Sequence, residues 1–214
     1  MKIHRIVIGT RNRKKGEEMI ELISPPWESN PRLSGLVVAT LADFLDVPEV
    51  DEDAATFAEN ACKKASETAR AIGEWVLADD SGLAVDALSG APGVLSARYA
   101  GTHGDDSANN AKLLAELEKI DDDKRSAAFI CALALADPQG TVRAQAQGRC
   151  RGVIARSPRG ENGFGYDPLF LIPEYHRTFG ELSVIVKHML SHRARAFAAI
   201  RPRLERLVAD RRDA

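Results

Sequence analysis

Four groups of residues in this sequence carry chemical possibilities beyond packing. Thr10-Arg11-Asn12-Arg13-Lys14-Lys15 follows an apolar stretch and precedes a helical pattern. Backbone amides at a helix N-terminus favour anions. Thr10 and Asn12 add neutral hydrogen-bonding groups and Lys15 adds a compact charge, so triphosphate oxygens would suit this loop. It is not a P-loop, because G-x-x-x-x-G-K followed by Ser or Thr is absent. A capped helix start with solvated lysines is the plainer alternative. The second group is Asp79-Asp80-Ser81-Gly82, after the short apolar run Trp75 to Ala78. In open α/β sheets ligands bind at the carboxyl ends of strands. Adjacent carboxylates on an extended chain point to opposite faces, so one of the two would enter a given site. That one would hold Mg²⁺ or activate water, and the other would support the fold. Asp51-Glu52-Asp53 supplies more of the hard oxygen ligands that Mg²⁺ combines with substrate phosphates. A capping turn and a solvated acidic loop are the structural alternatives.

Gly163-Phe164-Gly165-Tyr166-Asp167-Pro168 is the third group. Flanking glycines let a ligand approach the backbone, and an aromatic between them can stack on a base. Asp167 would accept from a ring N–H. A tight turn around a core aromatic is the alternative. The fourth is Lys187 with Ser191-His192-Arg193, where His192 and Arg193 are donors at the start of a last helix capped by Ser191. Arg195, Arg201, Arg203, Arg206, Arg211 and Arg212 continue a basic run that reads as a solvated helix face, with RNA binding as the minor alternative.

These groups need elements to position them. Ile3 to Gly9 is rich in β-branched residues and reads as a buried strand, followed by a helix from about Lys14 that Ser24-Pro25-Pro26 stops. Ser29 to Gly35 is loop-like, and Leu36 to Ala39 is a candidate second strand. Asp43 to Asp53 is acidic and irregular. Thr56-Phe57-Ala58-Glu59 matches a capping box and predicts an Ala-rich helix to about Ile72, with Gly73 as its stop. Trp75 to Ala78 predicts a short strand ending at Asp79. Gly90 to Gly93 is a turn, and Ser107 to Lys119 a helix with Leu113, Leu114 and Leu117 on one face. Phe129 to Ala136 and Val142 to Ile154 read as antiparallel neighbours joined by Asp137-Pro138-Gln139-Gly140. Leu169 to Ile172 is a short strand, and Ser191 to about Arg211 a basic helix. The expected class is α/β with a mixed sheet.

Composition bounds the partners. The 214 residues are 44% hydrophobic and 28% charged, enough for a core without disulfides or a structural metal. Twenty-nine Lys+Arg stand against 31 Asp+Glu, a formal charge of -2, which argues against extended nucleic acid held by bulk charge. Cys62, Cys131 and Cys150 are odd in number, with no C-x-x-C, and fit free thiols in a reducing cytosol. No signal-peptide pattern follows Met1, and no apolar run reaches the roughly 20 residues of a spanning helix, so a cytoplasmic protein without a membrane partner is expected.

Taken together and in order, the motifs resemble the inosine triphosphate pyrophosphatases, which clear deaminated purine nucleotides. The matching residues are Thr10-x-Asn12-x-x-Lys15, Thr56-Phe57-x-Glu59-Asn60-Ala61 with Lys64, Ala78 through Gly93, Ser96 through Gly101, Gly163 through Phe170, and Lys187 with Ser191-His192-Arg193. The resemblance implies one domain over residues 1–214, built on an elongated mixed sheet flanked by helices in two lobes with a cleft. It also implies a homodimer, and a Mg²⁺-dependent enzyme that cleaves ITP, dITP and XTP to the monophosphate and pyrophosphate. By the same resemblance, Thr10, Asn12, Lys15, Lys64 and Ser81 would hold the phosphates, and Glu52 and Asp80 the Mg²⁺. Asp80 would also accept the proton of the attacking water. Phe164 would stack on the purine, with Gly165, Tyr166, Asp167, Lys187, His192 and Arg193 around it.

Two departures stand out. Ala54 replaces the family's usual glycine two residues after the metal glutamate, which leaves Asp51 and Asp53 open as alternatives to Glu52. Val184-Ile185-Val186 stand where glutamates often precede the base lysine. The competing readings are a Maf-like pyrophosphatase with other nucleotide preferences and a non-catalytic nucleotide or RNA binder.

Overall fold

A computed structural model describes residues 3–25, 30–44 and 46–209. Pro26, Ser29, Arg211 and Arg212, read above as a helix stop, a loop start and the end of the basic run, lie outside the described residues. The chain divides into two compact units. One draws on Met1–Asp80, Cys131–Gly148 and Arg193–Ala214, the other on Ser81–Ile130 and Arg149–His192. Among the described residues, seven strands form a mixed sheet in the order β2-β1-β3-β4-β5-β6-β7. The class is α/β, as the sequence predicts.

In the first unit, β1 (Arg5–Ile8) pairs in parallel with β2 (Val37–Thr40) and with β3 (Trp75–Val85). Ile6, Val7 and Ile8 are all buried, as a parallel strand covered on both faces requires. Gly9 follows the strand and packs so close to β3 that a Cβ there would lie 2.8 Å from Val76 Cγ1. α1 (Arg13–Ile23) follows at once, with Asn12 as N-cap. α2 (Phe57–Ile72) has the predicted capping box at Thr56 and Glu59, and it stops at Gly73 in the left-handed region, φ 68°. Ala61, Ala65 and Ala69 are fully buried against Val7, Val76, Ala78, Ala132, Ala134 and Ala136. Small residues on both sides bring the helix close to the strands. On the same helix, Asn60 and Lys64 stand one turn apart, so both can reach one point on β3.

The structure corrects the reading of β3. The sequence predicts a strand that ends at Asp79, but the strand runs on to Val85. Gly82 lets the segment after Pro92 press onto it. A Cβ on Gly82 would lie 2.3 Å from Ser96 Oγ, and that hydroxyl accepts the Leu83 amide at 2.9 Å. The Asp79–Asp80 pair is therefore mid-strand, and neither caps a helix.

The second unit is built on Leu83, Val85, Leu113, Leu117, Phe129, Phe170 and Phe179. Its elements include α3 (Asp106–Glu116), the start of β4 (Ser126–Ala136), the end of β5 (Val142–Ile154), β6 (Phe170–Ile172) and β7 (Arg177–Thr178). The chain continues into α4 (Val184–Leu190), a helix the sequence reading did not assign, and Ser191 separates it from α5 (His192–Ala209). Ser183 caps α4, its oxygen accepting the Val186 amide at 3.4 Å.

Arg125 holds this unit's open carbonyls. Its guanidinium is buried and donates to Leu117 O at 2.6 Å, Ile154 O at 2.8 Å and Ala155 O at 3.2 Å. Removing it takes a donor from three carbonyls, although Leu117 O keeps the Ile120 amide at 3.0 Å and Ala155 is only half-buried; a buried acceptor left unpaired costs about 1–3 kcal/mol. Arg125→Met should lower unfolding stability by about 3 kcal/mol or more in urea denaturation, with Arg125→Lys intermediate. Equal stability of wild type and Arg125→Met would refute the role.

Candidate active site

Of the predicted phosphate and metal residues, Thr10, Asn12, Lys15, Glu52, Lys64 and Asp80 belong to the first unit, and Ser81 opens the second. Asp79 and Asp80 are 3% and 4% exposed. Burying two adjacent carboxylates is costly unless cations and donors surround them. Asp80 Oδ2 accepts from Asn60 Nδ2 at 3.0 Å, and Lys64 Nζ lies 4.0 Å from Oδ1. Asp79 Oδ2 meets Arg193 Nε at 3.4 Å and Lys15 Nζ at 3.7 Å. Lys64 also donates to Glu52 Oε1 at 3.0 Å.

These contacts settle the electrostatics. Burial opposes the Lys64 charge, but Asp79, Glu52 and Asp80 outweigh it and raise the ammonium pKa above its ordinary value. Glu52 is lowered: burial acts against its ionisation, and Lys64 more than offsets it. Asp80 is raised to about 6, first by burial and then by Glu52, against the pull of Lys64. A carboxylate of this kind is close to balance between proton acceptor and acid, which is where a general base works best.

The acidic run resolves geometrically. Asp53 pairs with Lys63 at 2.7 Å, its side chain 72% exposed, and Asp51 faces solvent. Glu52 is the member that reaches Lys64. Ala54 has no left-handed backbone that would call for glycine, and Asn60 Oδ1 accepts its amide at 3.0 Å, tying the acidic loop to α2. Among the described residues no three His, Cys, Asp or Glu side chains group as metal ligands. Glu52 and Asp80 together still suit Mg²⁺, which is commonly held by one or two carboxylates and shares its remaining positions with waters and substrate phosphates.

Thr10 and Asn12 form the turn into α1. The Asn12 amide donates to Thr10 Oγ1 at 3.2 Å, and Asn12 Oδ1 accepts the Lys15 amide at 3.1 Å. The cap thus orients the helix start that carries Lys15. Ser81 follows Asp80 on β3, half-buried.

The second unit holds the predicted base residues. Asp167 Oδ2 accepts the Phe164 amide at 2.9 Å and Lys187 Nζ at 2.7 Å. Lys187 Nζ lies 4.9 Å from the centre of the Phe164 ring, within cation–π range. Gly163 is required here: its φ is +79°, and a Cβ would lie 2.0 Å from Asp167 Oδ2. Tyr166 is buried, with its hydroxyl donating to Ser96 O at 2.9 Å, so it anchors the loop from beneath. His192 stacks on Phe129, centroids 4.8 Å apart. Lys187 is buried on α4, while Val184 and Ile185 before it are exposed.

Arg193 falls differently from the sequence reading, which grouped it with the base edge. It meets Asp79 Oδ2 at 3.4 Å and Glu18 Oε2, the latter 2.9 Å from Nη1, both in the first unit. Glu18 and Asn60, which the sequence reading did not single out, contact the candidate residues Arg193 and Asp80. Glu18 stands three residues after Lys15 on α1, on the same face, and that spacing was the available signal. Asn60 was legible as a polar residue beside the Ala61–Ala65–Ala69 stripe.

The model of the Ham1 family matches residues 6–203. A protein of Rhodopirellula baltica named dITP/XTP pyrophosphatase is 53% identical over 95% of this chain and 94% of its own length. Another of that name, from Geobacter sulfurreducens, is 49% identical over 94% of this chain and 96% of its own. A solved HAM1 protein from Coxiella burnetii has a TM-score of 0.82 at 39% identity, covering 96% of this chain and all of that one.

Lys64 is the cation between Glu52 and Asp80, so its removal should favour protonated Asp80. In Lys64→Met, Asp80 should titrate above its value of about 6 in metal-free buffer. Carboxyl ¹³C NMR reads this directly, and an unchanged or lower pKa would refute the coupling.

Proposed function

The chain belongs to the Ham1 family, and on that premise we propose that it hydrolyses purine nucleoside triphosphates with deaminated bases, such as dITP, ITP and XTP, to the monophosphate and pyrophosphate. The observation that carries this reading is Asp80, buried on β3 with Asn60 at 3.0 Å and with Lys64 between it and Glu52. The proposal includes Mg²⁺ held by Glu52 and Asp80, a cytoplasmic location and a homodimer.

The chain's own residues divide the work. Lys15 and Lys64 supply fixed positive charge toward the phosphates, with Thr10, Asn12 and Ser81 as neutral partners. Asp80 orients a water and takes its proton as it attacks phosphorus, and Asn60 fixes which way that carboxylate faces. Bound Mg²⁺ would neutralise charge developing on the phosphate oxygens. Asp79 and Glu18 hold Arg193, and Asp79 also steadies Lys15. In the second unit Phe164 is a stacking surface, and Lys187 and His192 are donors toward the base. Hypoxanthine and xanthine carry an oxygen at C6 that such donors satisfy. Adenine carries an amino group there, and a buried donor facing a donor can cost several orders of magnitude in specificity.

No helix among the described residues is long and apolar enough to cross a membrane. Sedimentation at twice the chain mass would support the homodimer.

The first experiment is pyrophosphate release from ITP, XTP, GTP, ATP, dTTP and UTP, with Mg²⁺ and with excess EDTA. ITP and XTP should lead, and EDTA should stop the reaction. A preference for dTTP or UTP would favour the Maf-like reading instead. Asp80→Asn should remain folded and lose at least about 10²-fold in kcat on ITP. Near-normal turnover by that variant would overturn the assignment of Asp80.

A further inference from the structure

We propose that Asp106 and Asn110, on α3, are positioning residues for base recognition, acting through the backbone of Gly165. This rests on the reading of residues 163–167 as the base platform. Both polar groups of Gly165 are gripped from one helix. Its N–H donates to Asp106 Oδ2 at 2.8 Å, and its carbonyl accepts from Asn110 Nδ2 at 2.9 Å. Residues four apart lie on one face of a helix, so a single surface of α3 meets both groups.

The loop needs such a grip. Gly165 has φ +61°, yet an added Cβ would meet nothing within 4 Å. The glycine is there for its conformation and not for space. On the other side of Phe164, Asp167 closes the turn: its carboxylate takes the Phe164 amide at 2.9 Å, and its own amide donates to Phe164 O at 3.2 Å. Phe164 is thereby tied before and after its ring, by Asp167 on one side and α3 on the other.

α3 is a firm support. Leu113 and Leu117 at its end are fully buried, and Asp105 caps its start by accepting the Ala108 amide at 2.9 Å. Buried Asn109 accepts the Ala100 amide at 2.7 Å and donates to Ala97 O at 3.3 Å. Asn110 also bears a cost. Its Oδ1 is buried with no hydrogen-bond partner among the described residues. An orphaned buried acceptor is unfavourable. A residue present only for packing would carry no such atom, so Asn110 stands there for the donor it gives Gly165.

The test separates base recognition from polyphosphate binding. Wild type, Asn110→Leu, Asp106→Ala and Asp106→Asn are compared for ITP kinetics and for inhibition by tripolyphosphate with Mg²⁺, a probe without a base. Asn110→Leu and Asp106→Ala should raise KM for ITP about tenfold, the scale of one lost hydrogen bond. Their kcat and tripolyphosphate inhibition should stay within about threefold of wild type, and their ITP-to-GTP ratio of kcat/KM should flatten. Asp106→Asn keeps an acceptor for the Gly165 amide and should behave as wild type. Amide hydrogen exchange across residues 163–167 should quicken in Asn110→Leu whatever the substrate. Unchanged KM with unchanged exchange would overturn the proposal. So would an equal loss of tripolyphosphate binding, or an Asp106→Asn variant as impaired as Asp106→Ala. Quickened exchange in an enzyme that ignores ITP would sink the substrate reading alone. Should Asn110→Leu fail to fold, Asn110→Ala carries the same comparison.

Discussion

The burial of two adjacent carboxylates, Asp79 and Asp80, is the constraint that organises the first unit. Neither is exposed enough for water to carry its charge. Each is answered by groups brought from elsewhere in the sequence. Asp79 takes Lys15 from α1 and Arg193 from α5, while Asp80 takes Asn60 and Lys64 from α2. A buried ion pair is weak evidence for stability, because desolvation consumes most of the attraction. A cluster of this cost on a central strand is better understood as a site. It keeps cations and carboxylates close without cancelling either, the condition that phosphate chemistry needs.

The backbone arrangement follows from that constraint. α2 can bring Asn60 and Lys64 to Asp80 only because its buried face is alanine, which lets the helix lie close on the strands. α1 can bring Lys15 because Gly9 follows β1 packed close against Val76, and Asn12 starts the helix three residues before the lysine. The acidic loop is placed by a single side-chain amide, since Asn60 holds Ala54 and so sets which of three carboxylates turns inward. The second unit repeats the logic on a smaller scale: Asp167 closes the turn that carries Phe164 and fixes Lys187 with the same oxygen.

Much of this was legible in order of residues. The capping box at Thr56, the stop at Gly73, the strands at Ile6 and Phe129 and the helix bearing Leu113 all follow from local pattern, because capping and periodicity are short-range. Residue type alone pointed to phosphate and base chemistry at Thr10, Asn12, Lys15, Asp80 and the glycine-flanked Phe164, whereas Lys64 entered through the family resemblance. The length of β3 was not, because a strand's extent depends on the neighbours it meets in the sheet, here β1 and β4, which lie beyond the reach of local pattern.

The sequence by itself determined which groups this protein carries and which local elements bear them, since both depend on neighbours a few residues away. Only the tertiary structure decided how those groups are paired. It chose Glu52 over Asp51 and Asp53, gave Asp79 and Asp80 different partners, and drew Arg193 to Asp79 and Glu18. Those choices turn on distances of a few ångströms between residues up to about 175 positions apart, a separation at which pattern carries no information and burial sets the energy.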